Sequence, residues 1–283
     1  MLNDTERSAS YELALATQMR PDMHVLDIGA GSGLLGMLAA KHGASYVTAC
    51  EATPEVAAVA RRIVGSNGFA GRVNIVSKLS TGLSVDADLP RRADLLVTEI
   101  VDCGLVGEGI IPTLRHAREH FLADGGTIIP RAATVYAALI ESEPIHKLNA
   151  VTDACGLDVR AFNDLASRYY FPVRSHTWPY AFLSPAVTAF SVDFLNDALE
   201  PTARDVRFAI KQSGTCHAVM FWFDLELVPG ISVRNQPGDR QTHWMQAVQC
   251  IDPPLSVRAG DSPAFTVRQT DSALRFVAHQ EDS

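Results

Sequence analysis

The chain has 283 residues, 47% of them apolar and 20% charged, long enough to bury a large core and near the size at which one core divides into two. No apolar run approaches the ~20 residues of a membrane span, and the opening MLNDTERSAS lacks the basic and apolar regions of a signal peptide, so a cytoplasmic protein without membrane contact is expected. A net charge of −8 and five scattered cysteines, Cys50, Cys103, Cys155, Cys216 and Cys250, offer neither a basic face for nucleic acid nor a metal-ligand spacing; reduced thiols and no metal are expected, and the acidity suits a cationic substrate.

Residues 2–18 read as an opening helix, broken by Pro21. VLDI predicts a strand, followed by a glycine turn, a helix from about Ser32 to His42, and the strand SYVTACE ending in Glu51. In this βαβ unit Gly29 and Gly31, flanking Ala30, let the backbone pass close beneath a ligand, and the helix amino end offers free N–H groups to an anionic moiety. Glu51, followed by Ala52, is placed to accept both hydroxyls of a ribose. The turn reads GAGSG rather than GxGxxG, with Asp27 two residues before its first glycine. An acidic strand end suits a cofactor with a cationic amino-acid part, such as S-adenosylmethionine, better than a pyrophosphate.

PEVAAVARRIVGSNGF then predicts a helix ended by Gly68, RVNIVSK a third strand, ADLLVTE a fourth, EGIIPTLRHAREHFL a helix and GGTIIP a fifth strand. The alternation predicts a mostly parallel sheet over residues 1–130. After Pro130 the texture changes to short β-branched and aromatic segments: RAATVYAALIES, AVTAFSVDF, RDVRFAIKQ, HAVMFWFDLEL and HWMQAVQCI. These predict an antiparallel, barrel-like second lobe over residues 131–283, with Phe221 and Phe223 as core on one strand face. Residues 145–180 are less strand-like, with a helical look at VRAFNDLASRYY, and read as an inserted interaction arm.

The loop TEIVDCGLVGEG carries the chemistry: the fourth strand ends in Glu99, and Glu108 follows nine residues later. A residue at the carboxyl end of a strand in an open α/β sheet points into the ligand crevice. Two carboxylates in a water-poor site stay ionised only around a cation, and a guanidinium, with its planar fork of donors, can meet both. The loop therefore reads as an arginine clamp.

With these residues in view, nearly the whole chain resembles the protein arginine methyltransferase family, on the motifs VLDIGAGSG, Glu51, the loop TEIVDCGLVGEG and the tripeptide Thr242-His243-Trp244. The resemblance implies a Rossmann-like class I methyltransferase domain followed by a β-barrel, with a dimerisation arm near 145–180 and a homodimer. It also implies that Arg7 binds the methionyl carboxylate of S-adenosylmethionine, Asp27 and the Gly29–Ala30–Gly31 turn its amino-acid part, and Glu51 and Ala52 its ribose, while Leu79 and Ser80 flank the adenine. Glu99, Glu108 and His243 would be catalytic; His243 would pair with Asp4, Trp244 would wall the arginine channel, and Met1 would touch the substrate. Family members usually carry an aromatic-containing helix before the position of Met1. The loop reads IVDCGLVG where many members have aromatics, which looks more like the monomethylating branch. Only four of the 24 basic residues are lysine (Lys41, Lys78, Lys147, Lys211), a usage common where coding DNA is GC-rich, which suggests a bacterial source. The favoured substrate is then free L-arginine in a natural-product pathway. The alternatives are one arginine of a protein or peptide, and a catalytically silent cofactor-binding partner.

Overall fold

The structure, a computed structural model, describes residues 1–238 and 242–279. The opening helix α1 (Thr5–Gln18) starts one residue after Asp4, whose side chain accepts from the Arg7 N–H at 3.0 Å. That satisfies one of the free donors at a helix start. Its buried stripe of Arg7, Tyr11, Ala14 and Leu15 follows helical spacing and lies against the body of the protein.

Five strands form the first sheet: β1 (His24–Ile28), β2 (Tyr46–Cys50), β3 (Val73–Val76), β4 (Ala93–Thr98) and β5 (Leu122–Ile129). They run parallel in the order β3-β2-β1-β4-β5. Three helices connect them: α2 (Leu34–Lys41), α3 (Pro54–Ser66) and α4 (Ile110–His120). β1 is buried at all five positions and β4 at five of six, as apolar runs covered on both faces require. The order reverses between β1 and β4, so the crevice opens at the carboxyl ends of those two strands. Gly29 reaches it from just beyond β1, Glu51 from just beyond β2, and Glu99 from just beyond β4.

The second lobe begins with β6 (Ala132–Glu141), paired antiparallel with the long strand Gly214–Val228, which pairs on its other side with Gln246–Val257. A smaller sheet of Thr202–Arg207, Ala264–Gln269 and Leu274–Ala278 completes this β-barrel lobe. Phe221 and Phe223 are wholly buried. Phe221 stacks on Phe276 at 5.1 Å, and Phe208 meets Phe265 edge-on at 5.4 Å.

Three differences from the sequence reading have physical causes. His243 and Trp244 precede the strand that begins at Gln246, because their side chains bond to Asp4 and to the Glu99–Glu108 loop. In VRAFNDLASRYY only a 3-10 turn forms, over Arg160–Leu165. There Asn163 bonds both the N–H and the C=O of Val151, at 2.8 and 2.9 Å, diverting the chain from a longer helix. Two further strands, Ala264–Gln269 and Leu274–Ala278, arise from PAFTVRQ and ALRFVA, which the sequence reading did not single out.

Candidate active site

A cavity of about 820 Å³ lies at the carboxyl edge of the parallel sheet. Of the residues expected at the site, Met1, Arg7, Gly29, Ala30, Gly31, Glu51, Ala52, Leu79, Ser80, Glu99 and Glu108 all line it. The glycine turn is shaped for close approach. Gly29 sits at φ +75°, and a Cβ there would come within 2.6 Å of Ile100 Cγ2, so a larger residue would clash as well as strain the backbone. The Glu51 carboxylate accepts from the N–H of Gly31 at 3.0 Å and of Thr53 at 2.8 Å. Its position is therefore fixed by backbone before any ribose arrives.

Asp27 does not line the cavity; it lies beneath the glycine turn, 1% exposed. Its Oδ2 accepts from the Gly36 N–H at 2.9 Å, and its Oδ1 has no partner. Burial, reinforced by the neighbouring Glu51 charge, pushes its pKa from 3.8 to about 7. A buried carboxyl with one free oxygen and a raised pKa is relieved by a nearby cation or by taking up a proton.

On the other side of the crevice, Tyr11 Oη donates to the Thr98 carbonyl at 3.1 Å, anchoring α1 over the end of β4. Arg7, one turn earlier on the same face, is thereby set against Glu99 and forms an ion pair with it, both side chains 5% exposed. The Arg7 guanidinium also lies 5.4 Å from the Tyr11 ring centre. The sequence reading gave Arg7 to the cofactor carboxylate; here its partner is Glu99. Apart from that pair, neither Glu99 oxygen accepts a hydrogen bond among the described residues. Glu108, across the loop, is exposed, and burial of its surroundings together with Asp102 raises its pKa.

Asp4 joins α1 to the barrel lobe. Its Oδ2 accepts from His243 twice at 2.9 Å, from the backbone N–H and from Nδ1. Because a carboxylate only accepts, Nδ1 carries the proton and Nε2 is left with a free lone pair, 3.9 Å from Glu99 Oε1. Burial lowers the His243 pKa despite Asp4, so the ring is neutral at neutral pH. Burial works to raise the Asp4 pKa, but bonds from Arg7 and His243 outweigh it and hold it below the ordinary value. Trp244, expected to wall the arginine channel, is not among the residues lining the large cavity. It is 7% exposed, packs edge-on against Phe223, and donates from Nε1 to the Val101 carbonyl at 3.1 Å. It borders a smaller cavity of about 180 Å³ between α1 and the strand Ile231–Arg234.

Comparison with known proteins fits this geometry. Residues 131–280 match the family model described as the arginine methyltransferase oligomerization subdomain, and residues 12–130 that of ribosomal protein L11 methyltransferase. An arginine N(omega)-methyltransferase of Streptomyces achromogenes subsp. streptozoticus is 42% identical over 275 residues, covering 97% of this chain and 76% of that protein. The chain belongs to the arginine methyltransferase family. Protein arginine N-methyltransferase 7 of Drosophila ananassae is 30% identical over 99% of this chain, which spans only 47% of that relative's length. Among solved structures, the Trypanosoma brucei PRMT1 enzyme-prozyme heterotetrameric complex with AdoHcy superposes with a TM-score of 0.82 over 95% of this chain and 86% of that one, at 24% identity. The family's methyl donor is S-adenosylmethionine, and its two-lobed architecture of Rossmann-like domain and β-barrel is the one found here.

Sequence reasoning missed several residues around this arginine methyltransferase site. Glu55, Val56, Val59 and Ile63 on α3, together with Lys78, Ile100 and Thr113, also line the large cavity. Val56 and Val59 are 38% and 42% exposed, apolar positions left uncovered on a helix face, and that irregularity was the available signal. Tyr170 was hidden because it reaches the loop from the far lobe. A Cβ on Gly104 would fall within 2.5 Å of its ring and one on Gly107 within 2.8 Å of its hydroxyl, and burial together with Asp102 pushes its hydroxyl pKa up.

Proposed function

We propose that the protein transfers one methyl group from S-adenosylmethionine to a terminal guanidino nitrogen of free L-arginine, giving N-omega-methyl-L-arginine in a natural-product pathway. The observation that carries the reading is the Arg7–Glu99 pair: a guanidinium already sits on the carboxylate assigned to the substrate, inside the cavity lined by the glycine turn and Glu51. The Streptomyces relative's name, at 42% identity, supports arginine as the acceptor. The residue usage expected of a bacterial source favours the free amino acid over a protein or peptide.

S-adenosylmethionine supplies an electrophilic sulfonium methyl. The glycine turn, with Asp27 beneath it, would hold the donor's amino-acid part, Glu51 its ribose hydroxyls, and the α3 face with Leu79 and Ser80 its base. With the donor bound, Arg7 would hold its carboxylate, which would leave Glu99 to the incoming guanidinium. Glu99 and Glu108 hold that group by charge-assisted hydrogen bonds, draw its positive charge toward the held nitrogens, and align the remaining nitrogen with the methyl. Alignment of this kind supplies as much as ~7–11 kcal/mol of the barrier. Neutral His243, its Nε2 lone pair facing Glu99, takes the proton released by the methylated guanidinium, by way of the carboxylate.

We further assign the apolar surface of residues 145–180 to a second copy of the chain. Leu157, Phe162 and Leu165 are 69%, 68% and 77% exposed, three large apolar side chains uncovered in one short stretch, and the matching family model is described as an oligomerization subdomain. The function itself is tested by incubating the protein with S-adenosylmethionine and either free L-arginine or an arginine-rich peptide, and weighing both acceptors.

A further inference from the structure

Two barrel-side residues hold the loop that carries Glu99 and Glu108, Trp244 at the Val101 carbonyl and Asn235 at the Cys103 carbonyl. Asn235 is 0% exposed, and its amide makes three of its four possible hydrogen bonds. Its Oδ1 accepts from the Phe223 N–H at 2.7 Å, and its Nδ2 donates to the Cys103 carbonyl at 3.0 Å and to the Met245 carbonyl at 2.7 Å. Its own backbone carbonyl accepts from Gln246 Nε2 at 2.8 Å. Phe223 belongs to the central barrel strand Gly214–Val228, Met245 directly follows the His243-Trp244 pair, and Cys103 lies midway between the two glutamates.

We propose that Asn235 is a positioning residue of the transfer reaction: it fastens the glutamate loop to the His243 segment, so that Glu99, Glu108 and His243 keep one mutual geometry. Asn235 touches neither donor nor acceptor and acts through the loop backbone. The Trp244 bond to the Val101 carbonyl holds the loop two residues earlier, so two of its carbonyls are tied to the barrel. Without a partner, the Cys103 and Met245 carbonyls would be buried acceptors that must move to find water, and the loop would move with them. Within the loop, Asp102 Oδ1 accepts from the N–H groups of Gly104 and Gly107 at 3.2 and 2.9 Å, which fixes its internal shape but does not tie it to the barrel.

The inference deepens the arginine methylation reading, and its test separates the two. Asn235→Leu removes all three amide bonds. Asn235→Asp keeps the Phe223 acceptor but sets oxygen against both carbonyls, and serves if the leucine variant does not fold. Gln249→Leu is the control: the Gln249 amide bonds both backbone groups of Phe276, at 2.6 and 2.8 Å, inside the barrel. Hydrogen exchange over residues 99–109 is expected to quicken in both Asn235 variants and to stay unchanged in Gln249→Leu, whatever the acceptor is. Turnover is expected to fall roughly 10–100-fold in the Asn235 variants, the scale of a misplacement of about 1 Å, with donor affinity held within about twofold, while Gln249→Leu keeps turnover near wild type at an equal loss of melting temperature. Unchanged exchange in the loop overturns the proposal, as does a turnover loss no larger than the control's. If wild type methylates no arginine, the functional reading fails and the exchange result alone decides the role of Asn235.

Discussion

Asp27→Asn isolates the electrostatic strain at the donor site. In the free protein the Asp27 carboxyl is 1% exposed, with one oxygen unpartnered, and burial raises its pKa from 3.8 to about 7. At about 1.4 kcal/mol per pH unit, the rise corresponds to roughly 4 kcal/mol of cost once the group ionises. The folded-state pKa lies above the unfolded value, so this contribution to stability is fully present below pH 3.8 and is lost as pH rises toward about 7. Urea unfolding from pH 4 to 8 should therefore show wild type losing stability relative to Asp27→Asn across that window, since the amide keeps an acceptor for the Gly36 N–H and cannot ionise. Saturating S-adenosylmethionine should abolish the difference by placing a cation on the free oxygen, and donor affinity in wild type should strengthen up to about pH 7. Parallel stability curves for the two proteins would refute the reasoning.

Two further outcomes are expected. Replacing Phe162 and Leu165 by Asp should convert a dimer to a monomer in light scattering at unchanged melting temperature, because both side chains are uncovered in the single chain; a dimer that survives both changes would remove the arm from the interface. Glu99→Gln and Glu108→Gln should each lower turnover by roughly 10–150-fold, the loss of a charge-assisted hydrogen bond of ~1.5–3 kcal/mol, while calorimetry finds donor binding intact. Near-normal turnover in both would sink the clamp.

The parallel sheet and the site on its edge were legible because local signals agree there. Apolar runs mark β1 and β4, a positive-φ glycine turn follows β1, and the acids Glu51 and Glu99 come directly after strands. The resemblance supplied Asp4 and His243, which lie 239 residues apart and meet only through the fold; no periodicity could have paired them. The residues that brace the site were illegible for the same reason. Asn235 and Tyr170 are ordinary in their own segments, and their meaning comes from backbone groups of a loop more than sixty positions away. The arm misled the helical reading because Asn163 bonds Val151 across twelve residues. The pairing of Arg7 with Glu99 joins α1 to the end of β4, ninety-two positions on, and no local pattern expresses it.

The account's central claim is most directly tested by mass spectrometry of reactions containing the protein, S-adenosylmethionine and free L-arginine, with an arginine-rich peptide in parallel. A gain of a single methyl on free arginine, with S-adenosylhomocysteine formed in equal amount, is the result predicted. Methylation of the peptide alone would move the substrate to protein arginine, and no methylation of either would contradict the assignment of Glu99 and Glu108 to an arginine acceptor.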